Sequence, residues 1–238
     1  MVDRQQGGKR ATIGILMLDN SFERHIGDMG RPETWDFPVL YRRVPGATTS
    51  AITTLDDDRF LAPFVAAAEA LIADGCDGIA TSCGFLALYQ PELARRLARP
   101  VAASALLQIP LVERIIQPGR AVGVLTFDAQ SLGASHLAAV GVGHAVPIVG
   151  LARDGRFRRA LLGDASVDGY EVREAEAVEA ARRLIGGPVP IGAIVLECTN
   201  LVPHATAIHA ATGLPIYDVV TLVAWFEAGL RPRAWPSG

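Results

Sequence analysis

The chain of 238 residues carries a net charge of −3, and half of its residues are hydrophobic. A core of useful size is therefore available, and the lack of like-charge blocks argues against a nucleic-acid or membrane-surface partner. Because aromatic residues make up 6% of the chain and charged residues 20%, the composition favours an α/β protein over a β-sandwich.

Lysine and cysteine are both scarce. Lys9 is the only lysine of the chain. Schiff-base chemistry and pyridoxal phosphate both need a lysine in the site, so we expect neither that chemistry nor that cofactor. Three cysteines are too few for a disulfide scaffold and indicate a cytoplasmic setting. The first residues lack the apolar core of a signal peptide, and no uncharged stretch is long enough to span a bilayer.

Strand-like and helix-like runs alternate along most of the chain. In the first half, hydrophobic periodicity predicts strands at 11–18, 78–82 and 101–104, and helices at 60–73, 91–98 and 106–116. In the second half, it predicts strands at 120–126, 146–151, 191–196 and 215–218, and helices at 131–140, 172–185, 201–211 and 221–229. This alternation is typical of parallel sheets covered by helices on both faces.

The two halves resemble each other. Gly14-Ile15-Leu16 corresponds to Gly123-Val124-Leu125, and Cys83 corresponds to Cys198 at nearly the same offset. We therefore predict an α/β fold of two pseudo-symmetric lobes, each a mostly parallel sheet flanked by helices, with the active site in the cleft between them. The predicted division is an N-terminal tail at 1–10, lobe 1 at 11–116 and 212–238, and lobe 2 at 117–211.

Cys83 and Cys198 each follow a predicted buried strand and precede a predicted helix. Ligands of open α/β sheets bind beyond the carboxyl ends of the strands, so both thiols should reach the cleft. Asn20 and Thr126 follow the first strand of each half and should reach it too. The aperiodic segment Asn20–Ser50 is predicted to form a lid or wall of this cleft.

A thiol at the N-terminus of a helix is stabilised as a thiolate and can act as a base. Two such thiols on opposite faces of a substrate would form an acid/base pair. The alternative is that these cysteines only pack, since free cysteine is one of the most buried residue types. We apply the packing interpretation to Cys76, which lies in a turn without a counterpart. His204 is expected on the exposed surface of a helix.

At these cysteines the chain resembles the aspartate/glutamate racemase superfamily. The run Thr81-Ser82-Cys83-Gly84-Phe85 is similar to its first motif, and Glu197-Cys198-Thr199-Asn200 is similar to its second. The superfamily is cofactor-independent and includes hydantoin racemase, maleate isomerase and arylmalonate decarboxylase. The resemblance covers nearly the whole chain.

The resemblance implies that Cys83 and Cys198 are the catalytic acid/base pair and that no cofactor takes part. It implies that threonine and serine hydroxyls, with the amides after each cysteine, hold a substrate carboxylate. The predicted substrate-binding residues are Asn20, Thr81, Ser82, Gly84, Phe85, Thr126, Thr199 and Asn200.

The chain departs from the amino-acid racemases at three of these positions. Gly84-Phe85 replaces the usual Asn-Thr, and Asn200 replaces the usual Glu or His, so the site is less polar than one for aspartate or glutamate. No histidine spacing indicates a metal site. A homodimer is the default expectation for assembly.

The resemblance predicts a cofactor-independent racemase, epimerase or isomerase of a small carboxylate, acting by two-cysteine 1,1-proton transfer. Two alternatives stay open. The first is a maleate isomerase-like or decarboxylase-like enzyme of the same superfamily. The second is a non-catalytic protein that binds a small carboxylate.

Overall fold

The computed structural model describes residues 10–54, 57–164 and 169–232 of the chain. Of the predicted N-terminal tail, residues 1–9 lie outside the described residues, as do positions 233–238 at the predicted end of lobe 1. Within the described ranges the strands form two parallel four-stranded sheets flanked by helices, which confirms the predicted α/β class.

The first sheet has the strand order β2-β1-β3-β4. Its strands are β1 (Ile13–Met17), β2 (Val39–Arg43), β3 (Gly78–Thr81) and β4 (Val101–Ala102). The helices in this half are α1 (Thr49–Thr53), α2 (Leu61–Ala73), α3 (Gln90–Arg96) and α4 (Ile109–Ile115). All four residues of β3 are buried, as expected for a central parallel strand with both faces covered.

The second sheet has the equivalent order, β6-β5-β7-β8. Its strands are β5 (Ala121–Thr126), β6 (Ile148–Gly150), β7 (Ile191–Leu196) and β8 (Ile216–Tyr217). The helices that follow along the chain are α5 (Ala134–Ala139), α6 (Arg156–Leu161), α7 (Tyr170–Ile185), α8 (Ala205–Thr212) and α9 (Val219–Leu230). None of the helices in the described ranges combines the length and apolar character that crossing a bilayer requires.

The matching strand orders confirm the internal repeat. β1 corresponds to β5 and β3 to β7, and each central pair is parallel. Cys83 stands two residues beyond the end of β3, and Cys198 two residues beyond the end of β7. The repeat therefore brings the two thiols to equivalent positions at the carboxyl edges of the two sheets.

The segment 20–50 is more structured than its sequence indicates. It contains β2, which pairs in parallel with β1, and the start of α1. β2 lies at the edge of the sheet, and its residues are half-buried or exposed, including Arg42 and Arg43. An edge strand of this kind lacks the continuous apolar run of a central strand, so periodicity does not reveal it.

The predicted lobe boundary at residue 212 differs from the observed strand pairing at β8. β8 pairs with β7 in the second sheet, with Ile216 opposite Ile194. α9 then returns to contact β3 and β4 of the first sheet. The chain therefore crosses between the sheets after β8, and the division into lobes stays a prediction at its other boundaries.

We expect the N-terminus of α9 to depend on Asp218. Its side-chain carboxylate accepts the Thr221 backbone N–H at 2.8 Å, while the Thr221 hydroxyl accepts the Asp218 N–H at 2.9 Å. Asp218→Ala should lower the free energy of unfolding by about 1 kcal/mol, because an unpaired helix N–H loses its acceptor. Asp218→Asn keeps an acceptor and is the matched control in urea unfolding. Equal losses in both variants would contradict the capping role.

Candidate active site

A pocket lies at the carboxyl edges of both sheets. The loops after β1, β3, β5 and β7 all contribute to it, as the strand-end argument predicts. Its walls consist of Leu18, Asn20, Phe22, Arg24, Thr49, Thr53, Ser82, Cys83, Gly84, Phe85, Phe127, Glu197, Cys198, Thr199 and Asn200.

Both cysteines of the repeat line this pocket as free thiols. Cys83 is half-buried and Cys198 is 7% exposed. Each is followed by a turn of 3₁₀ helix, Gly84–Tyr89 in the first lobe and Thr199–His204 in the second. Cys76 is buried at the other end of the sheet, outside the residues that line the pocket, which agrees with its packing interpretation.

The surroundings of the two thiols favour the protonated form, contrary to the sequence-based expectation of thiolates. Burial raises the pKa of Cys83 to about 12, and the charge of Glu197 adds to this. Burial and then Glu197 also raise the pKa of Cys198 well above its usual value. Hydrogen bonds from the backbone amides of Phe85 and Leu86 oppose the effect at Cys83. A short 3₁₀ turn supplies these amides but not the dipole of a long helix.

Glu197 is a site residue that the sequence analysis missed. Its carboxyl is completely buried, and Oε2 accepts the Thr126 hydroxyl at 2.6 Å. Oε1 is buried without a hydrogen-bond partner among the described residues. Burial raises the pKa of Glu197 to about 7, although the Thr126 hydrogen bond lowers it. A charged residue directly after a buried strand and beside Cys198 was the available signal.

Gly84 makes room for the Glu197 side chain. A Cβ atom at position 84 would clash with the backbone carbonyl oxygen and Oε1 of Glu197, and would lie 2.7 Å from its Cδ. The glycine thus lets the two cysteine loops approach each other. Phe85 also lines the pocket and is 2% exposed.

The predicted hydroxyl ligands are mostly committed to the protein itself. Thr81 donates to the carbonyl oxygens of Cys83 and Ala103, and the structure does not bring its side chain into the pocket wall. Thr126 is similarly placed behind the wall, where it donates to Glu197.

Ser82 and Thr199 do line the pocket. The Ser82 hydroxyl oxygen accepts the Leu18 N–H at 3.0 Å. Thr199 donates to the Ser82 carbonyl at 2.9 Å and so joins the two cysteine loops. Asn20, another of the predicted substrate-binding residues, also lines the pocket. Its side chain forms two hydrogen bonds with Thr49, one with the hydroxyl and one with the backbone N–H.

Arg24 is a second site residue that the sequence analysis missed. Among the lining residues in the described ranges, it carries the only basic side chain. It pairs with Asp28 at 2.8 Å and lies over the Phe22 ring at 4.5 Å. Asn200 donates to the other oxygen of Asp28 at 2.6 Å. The predicted residue Asn200 therefore holds the partner of Arg24 as well as facing the pocket.

The segment 20–50 forms one wall of the pocket, through residues such as Phe22 and Arg24. Arg173 of α7 donates to the Glu23 carbonyl at 3.1 Å and ties this wall to the second lobe. His204 is fully buried behind the wall against Phe157, so the prediction that it lies on an exposed helix surface is wrong. His204 is buried because other parts of the fold pack over it, and helical periodicity alone cannot predict such packing.

The curated proteins that are similar to this chain in sequence are named dimethylsulfoniopropionate lyases. No protein-family model matches the chain. A dimethylsulfoniopropionate lyase of Durusdinium sp. clade D is 29% identical over 240 residues, which cover 94% of this chain and 77% of the relative. Dimethylsulfoniopropionate lyase 7 of Emiliania huxleyi (strain CCMP1516) is 31% identical over 236 residues, which cover 93% of this chain and 68% of the relative.

Solved structures confirm the fold resemblance. Arylmalonate decarboxylase superposes with a TM-score of 0.60 at 16% identity, covering 93% of this chain and 96% of that protein. Allantoin racemase from Pseudomonas fluorescens gives 0.57 at 15% identity, with coverages of 92% and 90%. Glutamate racemase from Aquifex pyrophilus gives 0.56 at 15% identity, with coverages of 92% and 84%. The fold is therefore that of the aspartate/glutamate racemase superfamily.

The prediction of a racemase or isomerase is wrong. The curated relatives are named lyases, and they match over more than nine-tenths of the chain. The racemases resemble it at a level of identity that shows the fold alone. The first predicted alternative, a maleate isomerase-like or decarboxylase-like enzyme, agrees better with these relatives, because a decarboxylase cleaves a bond as a lyase does.

Gly84→Ala tests the close approach of the two cysteine loops. The added methyl group meets the Glu197 backbone, which cannot move as a flexible side chain can. We expect the free energy of unfolding to fall by roughly 1–3 kcal/mol, as for other overpacked sites. Gly143→Ala, at a position with open space around it, is the matched control. Equal melting temperatures for Gly84→Ala and the native protein would show that the loops are not in contact.

Proposed function

Since the chain belongs to the dimethylsulfoniopropionate lyase family, we propose that it cleaves dimethylsulfoniopropionate or a similar β-sulfonium carboxylate by elimination. A base removes a proton from the carbon next to the carboxylate, and the electron pair of that bond forms the carbon–carbon double bond. The carbon–sulfur bond breaks, and the sulfide leaves with its bonding electrons. Dimethylsulfoniopropionate would yield dimethyl sulfide, acrylate and one proton.

The observation that carries this proposal is the placement of two thiols, one guanidinium group and aromatic faces around one small cavity. The substrate is a zwitterion with a carboxylate at one end and a sulfonium at the other. Arg24 is the candidate partner of the carboxylate, since guanidinium groups bind carboxylates through paired hydrogen bonds. Phe22 and Phe127 each already have a guanidinium group over the ring, that of Arg24 at 4.5 Å and that of Arg158 at 4.3 Å. Phe85 is therefore the candidate aromatic contact of the sulfonium, because cations are attracted to aromatic rings.

A bound sulfonium would also lower the raised pKa of the thiols. An opposite charge within about 4–6 Å favours the ionised form of a titratable group. The substrate cation therefore lowers the pKa of the nearby thiol and promotes formation of the thiolate that reacts with it. This activation is limited to the occupied pocket, so the thiols stay protected from side reactions when it is empty.

We assign the role of base to Cys83. Its sulfur receives hydrogen bonds from the Phe85 and Leu86 amides, which stabilise a thiolate, and the positive charge of Arg24 acts in the same direction. Cys198 has one such amide, that of Asn200, and donates its S–H to the Asn200 side chain at 3.8 Å. Elimination needs one base, whereas racemisation needs a base and an acid on opposite faces. Cys198 is then a thiol that contacts the substrate in its neutral form.

The activity is tested with purified protein and dimethylsulfoniopropionate, by headspace gas chromatography for dimethyl sulfide and liquid chromatography for acrylate. We expect both products in equal amounts. Cys83→Ser should lower kcat by roughly 100-fold or more, because a hydroxyl is a much weaker base than a thiolate. Cys198→Ser should cause a smaller loss.

Cys76→Ser is the matched control, since it removes the third thiol outside the pocket. It should retain the native kcat. The lyase proposal fails if the native protein forms no sulfide from this substrate or its close β-sulfonium analogues. The assignment of the base fails if Cys83→Ser keeps native activity.

Arg24→Gln tests the recognition of the carboxylate. We expect KM to rise by roughly tenfold or more with a smaller change in kcat, because a charge-assisted hydrogen bond made in both the ground state and the transition state is lost. Arg24→Lys should recover part of the affinity. Arg31→Gln removes an exposed arginine of the same segment and should leave KM unchanged. An unaltered KM in Arg24→Gln would place the carboxylate elsewhere in the pocket.

A further inference from the structure

A single carboxyl group lies beside both thiols of the pocket. Glu197 directly precedes Cys198 in the chain, and its Oε1 lies against Gly84, which directly follows Cys83. Glu197 lines the same cavity as the two sulfurs, and its charge acts on both of them. The three groups therefore form one cluster, which we call the Cys–Glu–Cys cluster (Cys83, Glu197 and Cys198).

One oxygen of this carboxyl has no hydrogen-bond partner among the described residues. Oε2 is held by the Thr126 hydroxyl at 2.6 Å, which fixes the orientation of the group. Oε1 is buried and has no hydrogen-bond partner among the described residues. Buried polar atoms are nearly always hydrogen-bonded, so an unsatisfied one beside reactive groups points to a function.

We infer that Glu197 accepts the proton of the reacting thiol and stores it until the products have left. The inference rests on the proposed lyase function. Oε1 has no hydrogen-bond partner within the described part of the chain, so the transfer requires that a bound substrate brings the Cys83 thiol within hydrogen-bond distance of it. The S–H bond of Cys83 then breaks, its proton passes to Oε1 and the electron pair stays on sulfur. The thiolate then takes the α-proton of the substrate, and the sulfide leaves. Glu197 ends the cycle as a carboxylic acid and Cys83 as a thiol.

This sequence accounts for every proton of the reaction. A zwitterionic substrate is converted to a neutral sulfide and an anionic acrylate, so one proton must leave the enzyme in each turnover. The thiol holds its proton too tightly to release it near neutral pH. Glu197 releases its proton near neutral pH, since burial raises its pKa to about 7. The carboxyl is therefore the group of the cluster that can give up the proton near neutral pH.

Electrostatics limit the cluster to one negative charge at a time. Ionised Glu197 raises the pKa of both thiols, and each thiolate would repel the carboxylate in return. Moving the proton from sulfur to Glu197 shifts the charge without adding a second one. The substrate sulfonium decides where the charge resides, because it attracts the charge to the nearer group.

Glu197→Gln keeps the size of the side chain and removes its ability to accept a proton. At pH 7 we expect kcat to fall by roughly 100-fold or more. The loss should shrink as the pH rises toward the alkaline range, where the thiol ionises without a proton acceptor. The rising limb of the native pH–rate profile, expected near the Glu197 pKa of about 7, should move to higher pH in this variant. Circular dichroism and thermal unfolding verify that the variant folds.

Thr126→Val provides a second, subtler test. It removes the hydrogen bond that lowers the pKa of Glu197 while leaving the carboxyl in place. The rising limb should therefore move to higher pH, in addition to any loss of plateau activity from a less ordered carboxyl. A purely structural role of either residue would lower activity by the same factor at every pH. That uniform loss, or a native profile in both variants, would overturn the inference.

Alkylation separates this inference from the lyase proposal, since it needs no turnover. The rate at which iodoacetamide modifies each cysteine is followed by mass spectrometry across the pH range. Glu197→Gln removes a negative charge beside the sulfurs, so the profiles of Cys83 and Cys198 should move to lower pH, while Cys76 stays unchanged as the internal reference. Unmoved profiles would overturn the coupling even in an active lyase. Moved profiles would support the cluster even if no sulfide is formed from the substrates tried.

Discussion

The burial of three ionisable groups in one small pocket is the constraint on which the rest of the site depends. Cys83, Glu197 and Cys198 are each shifted toward the neutral form mainly by burial, and Glu197 adds to the shift at both sulfurs. Two neighbouring residues, Gly84 and Thr126, accommodate the buried Glu197 carboxyl. Gly84 has no side chain because Glu197 occupies the space, and Thr126 is turned inward to hold one carboxyl oxygen. The fold thus favours the neutral form of each of these three groups.

Sequence reasoning predicted the parts of the fold that are buried on both sides. The central strands β3 and β7 are continuous apolar runs, because a central parallel strand contacts helices on both faces. The equivalent positions of Cys83 and Cys198 follow from that repeat alone. β2 was not predicted, because it is a half-exposed edge strand that ends in two arginines. β8 was predicted as a strand but assigned to the wrong lobe, because tertiary pairing decides which sheet so short a strand joins.

The site was predictable where position along a strand determines placement, and unpredictable where partners are distant in the chain. Thr81 and Thr126 stand at strand ends, yet their hydroxyls are taken by Ala103 and Glu197, contacts that only the folded sheets create. Arg24 lies in a segment without periodicity and is held by Asp28, which in turn binds Asn200 of the other lobe. No local pattern contains that chain of contacts.

The departures from the amino-acid racemases acquire a physical meaning in the proposed lyase. An ammonium group carries N–H donors and is recognised by polar acceptors, whereas a sulfonium has none and gains nothing from hydrogen bonds. A cation of that kind is accommodated by aromatic faces and by the field of a carboxylate. Phe85 and Gly84 replace the polar pair of the racemases, and Gly84 admits Glu197 to the site. The same scaffold with two thiols then changes from moving a proton across a carbon atom to removing it while a neutral sulfide departs.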